Sequence, residues 1–224
     1  MEKKKITIIG AGMMGSALAF PAAENGHEVH IVGTCLDDKI IDGYLATGKH
    51  EKFCRPFPEN VNYHYFKDWK TVVEGSDFVI GGVSSFGVDW FLEEILIQLD
   101  PEMPVLSVTK GLRATDDGSL LSYPGYWMSE LAKRGIHRDI CAVGGPCTSY
   151  ELVFKDPTEV AFCGWDNEVL RMMKQAMQRP YYHISLTNDV IGLESAVALK
   201  NAYAMAVTLA VGLNIRWHGE EEVQ

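Results

Sequence analysis

An α/β fold is predicted, with a doubly wound, mostly parallel sheet followed by the start of an all-helical domain. Three observations predict it. Short, nearly continuous apolar runs such as 6–9 and 78–83 alternate with helical segments, as strands covered on both faces do. The first run leads at once into Gly10-Ala11-Gly12-Met13-Met14-Gly15. The chain then closes on a long Ala-rich helix, roughly 191–213, with no obvious polar face.

Each element follows in order. Residues 6–9 form a strand, 16–25 a helix closed by Gly26, and 28–32 the next strand, one βαβ unit. Pro21 lies inside that helix and predicts a kink, because it removes a hydrogen bond. Residues 37–46 read as helix, 48–60 as an irregular connection with Pro56 and Pro58, 61–66 as a half-exposed strand, and 68–74 as helix. Strands at 78–83, 104–108 and 140–143 alternate with helices at 88–99 and 121–134. Strands at 159–163 and 181–186 flank a helix at 167–177. The expected division is a sheet domain over 1–188 and the beginning of a helical domain over 189–224.

The totals narrow the function. With 224 residues, 47% of them hydrophobic and 22% charged, the chain is an ordinary globular protein with one sizeable core. A formal charge of −10 argues against nucleic acid and anionic membranes as partners, though not against a small anion held by a few N–H groups. The five cysteines form no C-x-x-C pair, and neither they nor the histidines show a metal-ligand spacing, so no metal is expected. A reduced, cytoplasmic setting is expected. The basic start is followed by too short an apolar run for a signal segment, and the apolar stretch 202–213 is too short to span a bilayer.

The G-x-G-x-x-G turn follows a strand and opens a helix, the context of a Rossmann-like dinucleotide site. Gly10 permits the tight turn, Gly12 the approach of a pyrophosphate, and Gly15 close helix–strand packing, while Met13 and Met14 stand at the helix start. The bland alternative is a tight turn that binds nothing. Selection of NAD usually places a carboxylate at the end of the second strand, but Gly33-Thr34-Cys35 stands there and Asp37 comes one helix turn later. Thr34 leaves room for a 2′-phosphate, so the expectation leans to NADP over NAD.

Four blocks in register resemble the bacterial-type NAD(P)-dependent glycerol-3-phosphate dehydrogenases. They are the glycine turn with Ser16-Ala17-Leu18-Ala19; Ser107-Val108-Thr109-Lys110-Gly111-Leu112; Gly144-Gly145-Pro146-Cys147-Thr148-Ser149-Tyr150-Glu151; and Asp189-Val190-Ile191-Gly192-Leu193-Glu194 followed by Ala198-Leu199-Lys200-Asn201. The resemblance implies an oxidoreductase of glycerophospholipid metabolism that interconverts dihydroxyacetone phosphate and sn-glycerol 3-phosphate by hydride transfer with NAD(P)H. It also implies Lys200 as the acid/base, Lys110 touching substrate and cofactor, Gly145 and Cys147 at the substrate, and Ser84 and Ser149 at the cofactor. Cys147 replaces a Ser or Thr, Ser149 an Ala, and the segment before Ser84 lacks the family's proline.

The residue chemistry agrees with these roles without deciding them. A lysine amid apolar neighbours is expected to be desolvated, which lowers its pKa as acid/base work requires; a lysine that snorkels to the surface is the competing reading. Lys110 at a strand's carboxyl end lies where open α/β sheets place ligands, although most loop lysines are merely solvated. The resembled family continues beyond its lysine helix with an Asp near the lysine and an Arg-Asn phosphate clamp. On that basis the chain is expected to be a fragment or truncated product with weak or no activity alone, its last helix exposed or paired with a second copy in a homodimer. Two alternatives stay open: a related dehydrogenase of another small hydroxy or keto acid, and a non-catalytic NAD(P)-binding module.

Overall fold

The computed structural model describes residues 2–116 and 118–218. Strand β1 (Lys5–Ile9) leads through the glycine turn into α1 (Met13–Glu24), β2 (Glu28–Val32), α2 (Asp38–Thr47) and β3 (Val61–His64). A 3-10 turn (Phe66–Asp68) and α3 (Trp69–Val73) precede β4 (Phe78–Gly81). Then come α4 (Val88–Phe91) with a π-helical continuation (Leu92–Leu96), β5 (Val105–Ser107), the hairpin β6 (Leu112–Ala114) and β7 (Leu120–Ser122), and α5 (Tyr123–Ala132). The chain continues through β8 (Ile140–Gly144), α6 (Ser149–Phe154), β9 (Thr158–Cys163), α7 (Asn167–Met177), β10 (Tyr182–Thr187) and α8 (Val190–His218).

Six strands pair in parallel in the order β3-β2-β1-β4-β5-β8. The winding reverses between β1 and β4, the place where a doubly wound sheet opens a crevice at its carboxyl edge. β9 joins β8 antiparallel, and β10 joins β9 in parallel. The predicted doubly wound, mostly parallel sheet is therefore present.

The two faces of the sheet bury separate cores, as the continuous apolar strands require. On one face Ile6, Ile8, Val29, Ile31 and Phe78 pack beneath α1 and α7. On the other, Ile9, Val32, Val79, Val105 and Ile140 pack beneath α3, α4 and α5, with Trp127 fully buried. The fully buried polar side chain of β1 on this second face, Thr7, is satisfied by a 2.8 Å hydroxyl contact with Ser76.

Several boundaries differ from the sequence expectation. α1 begins at Met13 instead of Ser16, which brings its first N–H groups into the glycine turn itself. It runs through Pro21 uninterrupted to Glu24, and the N–H of Asn25 reaches back to the Pro21 carbonyl. The helix expected over 88–99 splits into an α-turn and a π-segment, where the Ile97 N–H donates to Leu92. The β6–β7 hairpin and α6 were not anticipated.

α8 is anchored only at its start. Val190 is buried, and Leu193 and Val197 pack so closely on Gly144 that a side chain there would collide with them. Further along, Tyr203, Met205, Val207 and Leu209 are exposed. Residues 202–213 alone were read as too short for a bilayer, but the helix Val190–Arg216 is long and apolar enough to cross one by length and composition. Core helices of water-soluble proteins meet the same criterion. Residues 220–224, whose sequence reads like the start of another helix, lie outside the described residues.

Candidate functional site

The glycine turn builds the floor of a cleft at the reversal point of the sheet. Gly10 has φ +112°, and a side chain there would come within 2.7 Å of the Gly82 carbonyl. Gly15 is packed against the Gly10 carbonyl, so it serves helix–strand contact and does not face the cleft. Gly12 is different. A Cβ on it would meet nothing within 4 Å, so the glycine leaves open space above the start of α1. Open space over helix N–H groups is what a pyrophosphate requires, and the residues present fit that group.

The cleft has a volume of about 520 Å³. Its walls are the glycine turn with Met13 and Met14, the loop of Thr34, Cys35, Leu36 and Asp37 after β2, the segment from Gly82 to Gly87 after β4, and Val108, Thr109 and Lys110 after β5. Gly10, Gly12, Met13, Met14, Thr34, Ser84 and Lys110 therefore come together, as the sequence reading grouped them. Leu36 and Phe86, 87% and 99% exposed, line it, as does Trp90. Large apolar side chains left in water beside a cleft mark a ligand-binding groove.

Ser149 is not in that cleft. It is buried in the first turn of α6, a helix that packs against α1. Thr148 caps this helix through a reciprocal box with Glu151, so the segment read as a loop is a helix start and turns Ser149 inward.

Lys110 is placed by its neighbour. The Thr109 hydroxyl donates to the Val83 carbonyl at 2.8 Å, tying the end of β5 to the loop after β4. Lys110 then borders a second, smaller void lined by Met14, Gly145, Cys147 and Tyr182, which shares Met14, Val108 and Lys110 with the cleft as a common wall. The two substrate positions implied by resemblance, Gly145 and Cys147, thus adjoin the cleft and are not part of its walls. Burial pushes the Cys147 thiol up to about 11, so it stays a neutral, weak donor.

The desolvation expected at Lys200 is found at Lys110. Lys200 is exposed, because α8 has left the sheet by that point and no described residue covers it. Burial lowers the pKa of Lys110, and the nearby charge of Lys200 lowers it further. The charge of Lys200 is thus felt at Lys110, and both lysines pull against the burial that raises the Cys147 thiol.

Sequence reasoning missed two acidic residues here. Glu194, 3% exposed, has its carboxyl pushed up to about 7 by burial, against the pull of Lys110. Its signal was the last position of the Asp189–Glu194 block. Asp37 was judged too late in the chain to matter, yet it lines the cleft. Thr34 spends its hydroxyl proton on Asp37 at 2.9 Å, so that proton is not offered to a ligand. Among the described residues no cluster of His, Cys, Asp or Glu could hold a metal ion.

Comparison with known proteins gives these contacts a family. The N-terminal region of NAD-dependent glycerol-3-phosphate dehydrogenase matches residues 5–170. An NADP(+)-dependent glycerol-3-phosphate dehydrogenase of Archaeoglobus fulgidus is 31% identical over 211 residues, covering 94% of this chain and 62% of that protein. A glycerol-3-phosphate dehydrogenase [NAD(P)+] of Clostridium botulinum is 23% identical over 209 residues, covering 93% and 60%. The crystal structure of glycerol-3-phosphate dehydrogenase from Coxiella burnetii superposes with a TM-score of 0.79 at 22% identity, covering 95% of this chain and 62% of that one. The chain thus spans about 60% of the length of the curated relatives it matches. On the match across residues 5–170, this chain belongs to the NAD-dependent glycerol-3-phosphate dehydrogenase family.

Proposed function

We propose that this chain forms the dinucleotide-binding part, and contributes the lysine pair, of an oxidoreductase that interconverts dihydroxyacetone phosphate and sn-glycerol 3-phosphate. The observation that carries this reading is Lys110, which lines both the cleft floored by Gly12 and the void of Gly145 and Cys147, with the charge of Lys200 near enough to lower its pKa. A nicotinamide dinucleotide supplies the hydride when bound. The pyrophosphate rests over Gly12 and the first N–H groups of α1, with Met13, Met14, Thr34 and Ser84 along its path. Lys110 faces both ligands from the shared wall, and Gly145 and Cys147 border the substrate's end. Lys200 donates the proton to the carbonyl oxygen in reduction and removes it in oxidation. Lys110, whose lowered pKa reflects burial beside Lys200, attracts the phosphorylated substrate and holds its carbonyl end.

NADP is the preferred dinucleotide in this reading. With the Thr34 proton committed to Asp37, that preference rests on the name of the archaeal relative, not on Thr34. The reading divides the chain at 188/189, sets it in the cytoplasm, and pairs two copies through α8. A second reading, a hydroxy- or keto-acid dehydrogenase, is favoured by one feature: Cys147 offers a weak thiol where the family has a hydroxyl.

Oxidation of NADPH and NADH should be followed with dihydroxyacetone phosphate and a panel of small keto acids, comparing wild type with Lys200→Met. Turnover of dihydroxyacetone phosphate, lost by about 10²–10⁴-fold in K200M with dinucleotide affinity kept, supports the proposal. Turnover of a keto acid instead supports the second reading. Tight dinucleotide binding by the complete protein that contains this chain, with no turnover of any substrate, marks a non-catalytic binding module and refutes both.

A further inference from the structure

Asp37 stands at the N-cap of α2 but makes no side-chain bond to that helix. Its carboxylate turns instead to the cleft. One oxygen, Oδ2, accepts from the N–H of Ala11 at 3.1 Å, the N–H of Thr34 at 2.8 Å and the hydroxyl of Thr34 at 2.9 Å. Ala11 is the middle residue of the Gly10-Ala11-Gly12 turn and is fully buried. Its carbonyl accepts from the Ser16 hydroxyl at 2.9 Å, so both of its polar groups are held. Thr34 belongs to the other wall, the loop after β2. The chain leaves room for this arrangement at Gly33, where a Cβ would come within 3.1 Å of the Asp37 Cβ.

We propose that Asp37 is a positioning residue for the dinucleotide, tying the glycine turn to the loop after β2 so that the two walls keep one spacing. The inference rests on the dinucleotide reading above. A dinucleotide lays its diphosphate on the first wall and its adenosine ribose on the second, so the gap between them decides whether both halves bind at once. A carboxylate suits the task because three donors converge on one oxygen, and charge-assisted bonds are the strong ones. Without it, the N–H of Ala11 is a buried donor with no partner, and the turn must shift to find one. The cost then falls on cofactor binding, as lost preorganisation, although no cofactor contact has been removed.

The test compares wild type, Asp37→Ala and Asp37→Asn. Dissociation constants of NADH and NADPH come from quenching of protein fluorescence, since Trp90 lines the cleft. Amide hydrogen exchange at Ala11 and Thr34 is read in the dinucleotide-free protein. D37A should weaken NADH and NADPH by the same factor, about tenfold, and speed exchange at both amides. D37N keeps an oxygen acceptor, so it should restore both affinities to within about threefold of wild type and slow the exchange again. If D37A does not fold, exchange in wild type carries the test: the Ala11 and Thr34 amides should be protected without dinucleotide, and unprotected exchange at Ala11 removes the tie.

Three results overturn the inference. Unequal changes for NADH and NADPH in either variant make Asp37 a direct ligand of the ribose. Unchanged affinities with a lowered melting temperature reduce it to a fold residue. Unchanged exchange at Ala11 removes the tie itself. A wild-type protein that binds neither dinucleotide overturns the underlying dinucleotide reading as well, and so is told apart from these three.

Discussion

Replacing Glu194 with glutamine turns the buried carboxyl that feels the charge of Lys110 into a measurement. The side chain is 3% exposed, and burial raises its pKa from 4.5 to about 7 against the pull of Lys110. A raised carboxyl pKa means that the fold accommodates the neutral acid better than the anion. The contribution to stability is therefore full below the unfolded value of 4.5 and is lost as pH rises toward 7, where the folded carboxyl ionises too. Integrated over that shift, wild type loses about 2.5 kcal/mol between roughly pH 5 and pH 8 from this one group. Glutamine does not titrate. The stability of E194Q relative to wild type should thus improve by about 2–3 kcal/mol across the interval, other groups cancelling in the difference. Urea unfolding of both proteins at the two pH values measures it. A difference that stays constant within about 0.5 kcal/mol would refute the buried, raised carboxyl.

The glycines and histidines give two further tests. Gly12→Ala should keep the wild-type melting temperature yet weaken dinucleotide binding at least about tenfold, because its Cβ enters open space that the ligand needs; Gly15→Ala drives a Cβ against the Gly10 carbonyl and should lower the melting temperature first. Calorimetry beside a binding titration separates the two, and equal effects would contradict the assigned roles. Burial lowers the pKa of His27, His50 and His64 from 6.5, so the unfolded chain takes up protons before the folded one and stability should fall as pH drops below that value. Urea midpoints across that range should show the decline in the E194Q background, where the opposite trend of Glu194 is absent, and His50→Gln should flatten it.

Much of this architecture was legible because its physics is local. Strands β1, β4 and β8 are buried on both faces along most of their length and so read as apolar runs, and helix α7 matches its expected bounds of 167–177. The hairpin β6–β7 was not legible. Its strands are three residues long, stand apart from the main sheet, and become strands only by pairing with each other. Helix α6 did carry a readable signal, the Thr148–Glu151 capping box, which was passed over because the segment resembled a loop. Lys200 shows the opposite failure. Apolar neighbours along a helix do not bury a residue when the helix leaves the sheet, and no local pattern reports where it does so. Asp37 was out of reach because its partner Ala11 lies 26 residues away, a distance that only the β1–β2 pairing closes.

The contact between Gly10 and Gly82 has one more consequence. Where the turns after β1 and β4 meet, a side chain on Gly10 would strike the Gly82 carbonyl, and one on Gly82 would come within 3.0 Å of the Gly15 Cα. At this seam main chain packs on main chain, with no rotatable group between. A ligand arriving there has no rotamers to freeze at that spot, so the seam adds nothing to the entropic cost of binding. The same rigidity leaves a single enlarging substitution no compensating side-chain movement, and relief has to come from displacement of the backbone itself.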